Sequence, residues 1–133
     1  MRNNVQPGDE RRFSRLVRPE DCAAFDSGHV HPVYATFALA RDAEWCGRLF
    51  VLDMKDDEEE GIGTHITVEH LSPAPEGTTV EFTAIAESIN GHEIICSYEA
   101  RCNGRLIAKG RQGQKILKKE KLERLFQSLS NAK

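Results

Sequence analysis

One long helix-compatible segment, residues 33–54, is the feature that most constrains how this sequence folds. It follows Pro32, and the residue before a proline is disfavoured in a helix. The segment contains no proline, and Gly47 is its one weak point. The acidic run KDDEEEGIG follows and ends it. Because the segment is apolar nearly all round, the helix needs to be covered on more than one side.

Four segments of alternating polarity follow the helix and predict antiparallel strands. They are THITVEH, TTVEFTAIAESI, HEIICSYEARC and RLIAKGRQGQKIL, with the turn signals Asn90-Gly91 and Asn103-Gly104 between the last three. Residues 9–17 predict a first strand, the stretch RPEDCAAFDSGHVHP an irregular loop, and the last residues a short amphipathic helix. A sheet that curls around the single helix is the simplest arrangement, so we predict the class α+β.

The length and composition indicate an ordinary globular chain that forms one domain over residues 1–133. We expect flexible tails at 1–8 and 126–133. A net charge of −3 argues against a nucleic-acid binder, which is usually basic. No run approaches the ~20 apolar residues needed to cross a membrane. The first residues lack the apolar core of a signal peptide, so we expect a cytoplasmic location.

The cysteines and histidines give little support for a metal centre. The four cysteines form no CxxC pair, which leaves zinc and thioredoxin-type chemistry poorly supported. His29 and His31 form an HxH pair, but no third candidate ligand lies nearby in the sequence. We therefore expect reduced thiols, no metal and no cofactor.

Helical geometry makes Glu44 a candidate catalytic residue. Small side chains form a stripe along one side of the predicted helix, at Thr36, Ala40, Ala43 and Gly47. Glu44 lies on the shoulder of this stripe, about 12 Å along the axis from its start. Its apolar neighbours favour a buried or half-buried carboxylate. The alternative is a surface ion pair with Arg41 or Arg48, which are three and four residues away.

His70 and Thr36 are two further candidates, and each has a structural alternative. Alternation places His70 on the same face as Ile66 and Val68, toward the helix. A histidine there is either a satisfied core group or a catalyst. Thr36 lies in the first turn of the helix, where threonine serves as a cap. Its hydroxyl could equally act beside the helix N-terminus, where the dipole stabilises developing negative charge.

Glycines and basic residues supply the remaining binding candidates. Gly61 and Gly63 are either turn residues or places where a strand backbone approaches a ligand closely. A basic stretch near the end of the sequence is either a solvated face or a rim that binds phosphate, and it contains Lys109, Arg111, Lys115, Lys118 and Lys119.

Two stretches, VYATFALARDAEWCGRLF and GIGTHITVEHLSPAPEGTTVEF, resemble the fluoroacetyl-CoA thioesterase-like branch of the hotdog proteins. That branch has a threonine near the start of its central helix and a Glu-Trp dipeptide eight residues later. A glycine–threonine strand that ends in histidine comes next, then a proline-containing link and a glycine. This sequence fills those places without a gap, with Thr36, Glu44-Trp45, Gly63-Thr64, His70, Pro75 and Gly77. The resemblance covers roughly residues 8–125.

The resemblance implies a hotdog fold, in which a curved antiparallel sheet of about five strands wraps one long central helix. It also implies a homodimer or higher oligomer, which would pair the open edges of a small sheet. The implied activity is hydrolysis of an acyl-CoA to free acid and CoA, without a cofactor. Thr36, Glu44 and His70 take the places of the catalytic triad. The predicted substrate contacts are Gly63, Thr64, Val30, Tyr34, Arg111 and Lys115.

Two departures from the branch bear on its function. Gln112 and Gln114 stand where the branch often carries a histidine and then an arginine. Ser27 and Val30 stand where the fluoroacetyl-specific member has lid phenylalanines. We therefore predict a general short or medium acyl-CoA as substrate. A non-catalytic acyl-CoA binder or sensor is the first alternative, and a hotdog enoyl-CoA hydratase or dehydratase is the second.

Overall fold

One long helix, α1 (Thr36–Met54), lies against a curled antiparallel sheet in the computed structural model, which describes residues 1–131. A second helix, α2 (Lys119–Asn131), follows the last strand. The strands in chain order are β1 (Glu10–Leu16), β2 (Cys22–Phe25), β3 (Gly28–Tyr34), β4 (Glu59–Ile66), β5 (Glu69–His70), β6 (Thr79–Asn90), β7 (Glu93–Cys102) and β8 (Arg105–Lys118). The α+β arrangement of one long helix on a curved sheet is thus confirmed.

The sheet order is β1-β6-β7-β8-β4, and β5 pairs with β8 beyond the end of β4. All these pairs are antiparallel. Both predicted hairpin turns are present, and Gly91 and Gly104 adopt positive φ angles of 59° and 78°. Glycine occupies this region without the steric cost that a Cβ would bring, so the two turns form where the sequence predicts them.

The core lies between the sheet and one side of α1. Alternate residues of β6 are buried as the pattern predicts, at Val80, Phe82, Ala84 and Ala86. The helix contributes Leu39, Ala43, Cys46 and Phe50, none of which retains measurable exposure. Its opposite side stays open to solvent at three large apolar residues, Phe37, Trp45 and Leu52. The sheet of one chain therefore covers only part of the helix surface that the sequence marks as apolar.

The loop expected before the helix is instead a two-stranded hairpin. β2 and β3 pair with each other as a separate small sheet, after a short 3-10 turn at Pro19–Asp21. Most residues of β3 are exposed, so the strand leaves no alternating pattern in the sequence. α1 begins at Thr36, three residues later than predicted, with Ala35 as its N-cap.

The predicted strand THITVEH belongs to two strands, and β4 starts five residues before it. A register shift lies between Gly63 and His65, and the backbone leaves strand geometry after Ile66. The Tyr98 hydroxyl donates a hydrogen bond to the Thr67 carbonyl over 2.6 Å. Pairing with β8 resumes at Glu69 with Lys109, which keeps His70 on the helix side as predicted.

Parts of both segments expected as flexible tails lie within described structure. Val5 is 2% exposed, and the Arg2 amide donates a hydrogen bond to the Met54 carbonyl at the end of α1. Residues 1–8 therefore include contacts with the helix. At the other end, α2 continues through Asn131, and residues 132–133 of the expected tail lie outside the described residues. Within residues 1–131, neither helix is long and apolar enough to span a membrane.

Candidate active site

Thr36 and His70 form a hydrogen-bonded pair at the start of α1. Thr36 Oγ1 and His70 Nδ1 lie 2.9 Å apart. The N-cap residue is Ala35, and no side chain caps the helix there. The threonine hydroxyl therefore bonds to the imidazole instead of closing the helix end. It lies beside the first turn, where the backbone N–H groups lack helical partners and the dipole favours negative charge.

His70 has the environment of a neutral imidazole. It is half-buried and pairs across the sheet with Ala108. Burial lowers the pKa of His70 below its ordinary value of 6.5, and the neighbouring backbone of Ser72 opposes this shift. Near pH 7 the ring is therefore uncharged, with one nitrogen able to accept a proton.

The second ring nitrogen of His70 marks this place as a site. Nε2 is buried and makes no hydrogen bond to the described residues. Leaving a buried polar atom unpaired costs about 1–3 kcal/mol, so such atoms need an explanation in terms of function. Whichever way the bond to Thr36 runs, Nε2 is left as a free donor or a free acceptor.

A shallow cleft of about 290 Å³ adjoins the pair and is lined by Thr36, His70, Leu71, Ser72 and Pro73. Large apolar side chains next to this pair in the sequence are exposed to solvent. Phe37 follows Thr36 and Leu71 follows His70, and each is more than half exposed. Phe25 at the end of β2 contacts the Phe37 ring edge-on, with centroids 6.1 Å apart. The cleft thus combines a polar pair with apolar neighbours.

Glu44 is exposed, so the expectation of a buried or half-buried carboxylate is wrong for this chain. The alternative surface pairs are not formed either. Arg41 binds Asp21 and Asp42, and Arg48 binds Glu60. Among residues 1–131, Glu44 makes no salt bridge. Its side chain nevertheless reaches the sheet, where it meets β4.

The Glu44 carboxylate lies against the backbone of β4 at Gly63. A Cβ at Gly63 would lie 2.5 Å from Glu44 Oε1, closer than real Cβ contacts come. Glycine is therefore required there if the carboxylate is to keep its place. Thr64 is the next residue, at the register shift, and its hydroxyl donates to Glu93 over 3.0 Å.

One chain brings together Thr36 with His70, and Glu44 with Gly63, but not the two pairs with each other. Glu44 lies about 12 Å along the axis from Thr36, since eight residues of helix separate them. Gly63 and His70 are separated by seven residues along an extended chain, about 20 Å. The triad implied by the resemblance is thus divided into two places within a single chain.

Two predicted substrate contacts lie in or near the hairpin. Val30 is about half exposed on β3. Tyr34, by contrast, is only 1% exposed, and its hydroxyl donates a hydrogen bond to Asp42. The Tyr34 side chain therefore offers almost no surface to a substrate in this chain.

The predicted phosphate contacts lie on the other face of the sheet. Arg111 and Lys115 alternate along β8 with Gln112 and Gln114, which face α1. Arg111 lines a cleft of about 380 Å³ on the outer face, together with Lys109 and Glu69. A ligand that touched both Arg111 and His70 would therefore need to reach around an edge of the sheet.

A buried ionic cluster, which the sequence analysis missed, fixes the approach to α1. Asp21 and Asp42 are fully buried. Hydrogen bonds from Arg18 and Arg41 outweigh burial and hold the pKa of Asp21 well below its usual range. Burial works to raise the pKa of Asp42, but Arg41, Arg15 and Tyr34 together lower it. The two carboxylates therefore remain charged and join the hairpin region to the helix.

A second cluster of buried polar side chains contains Gln112 and Gln114, the two glutamines that depart from the family pattern. Gln112 and Gln114 are at most 2% exposed. Gln112 donates to Cys96 Sγ over 2.9 Å, and Gln114 donates to Gln112 over 3.1 Å. Gln114 also donates to the backbone carbonyl of Glu44 over 3.3 Å. Gly47 in the small-residue stripe is the feature of the sequence that indicated a close approach of the helix to the sheet here, since a Cβ at this position would overlap the Gln112 amide.

A metal centre finds no support in residues 1–131, which hold no cluster of three or more potential ligand side chains. His29 and His31 are exposed on β3. All four cysteines are free and buried.

The comparisons with known proteins agree with this architecture. The profile of the fluoroacetyl-CoA-specific thioesterase family, FlK, matches residues 17–120. A Thermus thermophilus hypothetical protein, a thioesterase superfamily member, is 37% identical over 96% of this chain and 95% of that chain, with a TM-score of 0.92. A comparison with curated protein sequences found no significant match.

Two more distant structures support the fold alone. The fluoroacetyl-CoA thioesterase FlK is 21% identical, over 95% of this chain and 98% of that chain, with a TM-score of 0.87. A hot-dog-like protein from Thermanaerovibrio acidaminovorans is 19% identical, over 96% and 94%, with a TM-score of 0.86. From the profile match and the architecture together, the chain belongs to the fluoroacetyl-CoA-specific thioesterase family and has the hotdog fold.

Proposed function

We propose that this protein is an acyl-CoA thioesterase that hydrolyses a short or medium acyl-CoA to free acid and CoA. The observation that carries the proposal is the Thr36–His70 pair, a neutral imidazole bonded to a hydroxyl at a helix N-terminus. Both residues lie within the stretch that matches the thioesterase family. This arrangement suits a carbonyl oxygen that gains negative charge, because donors and dipole are already oriented toward it.

The proposed reaction is water-dependent cleavage of the carbon–sulfur bond. Glu44 accepts a proton from water as the water oxygen adds to the thioester carbonyl carbon. The carbon–sulfur bond then breaks, and a proton moves to the departing CoA sulfur with help from His70. In a covalent variant, Glu44 or Thr36 attacks the carbonyl carbon itself, the carbon–sulfur bond breaks, and CoA leaves as its thiol. Water then hydrolyses the bond between the acyl group and the enzyme, which releases the free acid.

We propose that two copies of the chain complete each site. β4 stands at the end of the sheet order, so one of its sides is unpaired among the described residues. Two such edges pair naturally in antiparallel fashion. This would bring Gly63 and Glu44 of one protomer toward the end of the partner strand that leads to His70. A homodimer would therefore bring together the two pairs that a single chain keeps apart.

The cleft size and its neighbours support the proposed acyl class. A cleft of about 290 Å³ with Phe37 and Leu71 nearby accommodates a compact apolar group. The proposed CoA contacts are Gly63 and Thr64 on the exposed strand edge, and Arg111 or Lys115 for phosphate. Cytoplasmic location and a single domain over 1–133 remain part of the proposal.

A thiol-release screen tests the proposed activity. Purified protein would be assayed with short, branched, aromatic and long acyl-CoAs, and free thiol would be followed over time. We expect turnover with at least one short or medium ester. Absence of thiol release across the whole series would contradict the proposal.

A non-catalytic acyl-CoA binder is the second candidate, and the division of the triad within one chain favours it. Calorimetric titration with a non-hydrolysable acyl-CoA analogue separates the two. Tight binding by a protein that releases no thiol identifies a binder. The hydratase alternative needs an aspartate beside a histidine near the helix start. Asp21 and Asp42 lie near that end of the helix, and both are buried in ion pairs with arginines, Asp21 with Arg18 and Arg41 and Asp42 with Arg15 and Arg41.

A further inference from the structure

A chain of buried hydrogen bonds links the centre of the sheet to the helical turn that carries Glu44. It runs from Cys96 on β7 through Gln112 and Gln114 on β8 to the Glu44 carbonyl. The Gln114 amide nitrogen has two hydrogens and donates to two acceptors, so its donor capacity is used completely. Both amide side chains are buried, and a buried polar group keeps its place because losing a partner is costly.

Glycines allow the helix to come this close to the sheet. A Cβ at Gly47 would overlap the Gln112 amide. A Cβ at Gly61 would lie 2.6 Å from Val51 Cγ1 and 3.4 Å from Gln114 Oε1. With Gly63 beside the carboxylate, three glycines surround the turn at Glu44. The close approach is therefore built from both sides, by small residues on the helix and on β4.

We infer that Gln114 is a positioning residue for Glu44, which it holds through the backbone carbonyl. The inference rests on the proposed function, because it assigns Gln114 a part in the same reaction. Gln114 does not touch the reacting atoms. It sets the place of the turn from which the Glu44 side chain extends.

Glu44 depends on this support because its own side chain has little else to fix it. The carboxylate is exposed and makes no salt bridge within residues 1–131, so its position follows from its backbone and from contact with Gly63. The carbonyl that Gln114 contacts has two lone pairs and serves the helical bond as well. A misplacement of about 1 Å costs on the order of 10²-fold in rate.

A matched pair of substitutions separates positioning from structural support. Gln114→Met and Gln112→Met replace each amide by an apolar side chain of similar length, and each breaks the Gln112–Gln114 bond. Only Gln114→Met also breaks the bond to the Glu44 carbonyl. Gln112→Met also breaks the bond to Cys96, so each variant removes two hydrogen bonds of the buried chain. Both variants should therefore lower the urea midpoint by similar amounts.

The expected result is a split in the kinetics. Gln114→Met should lower kcat about 10-fold or more with little change in KM, and Gln112→Met should stay within about twofold of wild type. Gln127→Met, on the exposed face of α2, is the matched surface control. Equal kcat losses in Gln114→Met and Gln112→Met, or none in either, would overturn the inference.

A double variant keeps the test decisive if a single variant fails to fold. Gln112→Met with Gln114→Met removes both bonded partners together, which is far less costly than removing one. It should recover stability without recovering kcat, and a stable double variant with wild-type kcat would also overturn the inference. Wild-type protein that releases no thiol from any ester would instead refute the proposed function.

Discussion

At the start of α1, the Thr36 hydroxyl is held by direct contact with His70, whereas eight residues later the Glu44 carboxylate is held only through its backbone and a glycine. Thr36 makes a side-chain hydrogen bond with a half-buried partner, His70. Glu44 is exposed, and the buried amides of Gln112 and Gln114 lie beneath its backbone. Two residues of one proposed mechanism therefore depend on different kinds of support, so substitutions should affect them through different routes.

Substitution of the exposed Glu44 should reduce activity most. Glu44→Gln should lower kcat with several acyl-CoAs by about 10²-fold or more, because a positioned base contributes about 10² to 10⁴. Thermal stability should stay near wild type, since the residue is exposed and unpaired within residues 1–131. Steady-state thiol release measures the effect, and Glu123→Gln on α2 is a matched surface control. Unchanged turnover in the folded Glu44→Gln variant would remove the mechanism.

Loss of the Thr36 hydroxyl should reduce activity through the hydrogen-bonded pair of Thr36 and His70. Thr36→Val keeps the shape of the side chain and removes the bond to His70, so kcat should fall by about 10²-fold, as for loss of one positioned donor. Thr36→Ser keeps a hydroxyl and should retain most of the activity. If Thr36→Val and Thr36→Ser behave alike in single-turnover assays, the hydroxyl has no part in the chemistry.

Gly63→Ala tests the contact that holds the carboxylate. The new Cβ would meet the end of the flexible Glu44 side chain, so the fold can adjust while the carboxylate moves. We expect about a 10-fold loss in kcat with a nearly unchanged melting temperature. Gly61→Ala is the contrasting variant, because its Cβ meets the buried Val51 side chain and should lower stability instead. The idea fails if Gly63→Ala is fully active.

Protonation of His70 at low pH should change kcat/KM less than any of these substitutions. The neutral His70 ring accepts a proton, and burial lowers the pKa of His70. The value of kcat/KM should therefore hold through pH 7 and fall only as the pH drops below 6.5 and His70 becomes protonated. His70→Asn should lose this limb from whatever activity remains. A limb centred above pH 6.5 would contradict the lowered pKa.

The sequence predicted the fold well where side chains alternate or repeat. β6 shows the predicted burial at Val80 and Phe82, and the hairpins turn at Gly91 and Gly104. The β2–β3 hairpin was missed because most of its residues are exposed, and an exposed strand has no polarity pattern to detect. The strand break after Ile66 was missed because it depends on a contact of Tyr98 with the Thr67 carbonyl.

The candidate site was predicted more unevenly. Alternation gave the direction of His70, and the structure resolves Thr36 as a hydrogen-bond partner of that histidine rather than a cap. The burial of Glu44 was predicted wrongly, and the buried position of Tyr34 was not foreseen. Catalytic roles for Thr36, Glu44 and His70 stay predictions until the variants are measured.

Sequence patterns are enough to predict the long helix, the alternating strands, their turns and the family to which the chain belongs. The packing of the folded chain brings His70 to Thr36, leaves Glu44 exposed, and buries Gln112 and Gln114 beneath it. The physical reason is that periodicity fixes where a side chain points relative to its own helix or strand. What it meets there depends on which other elements pack in that direction, and on how closely glycines such as Gly47 let them approach.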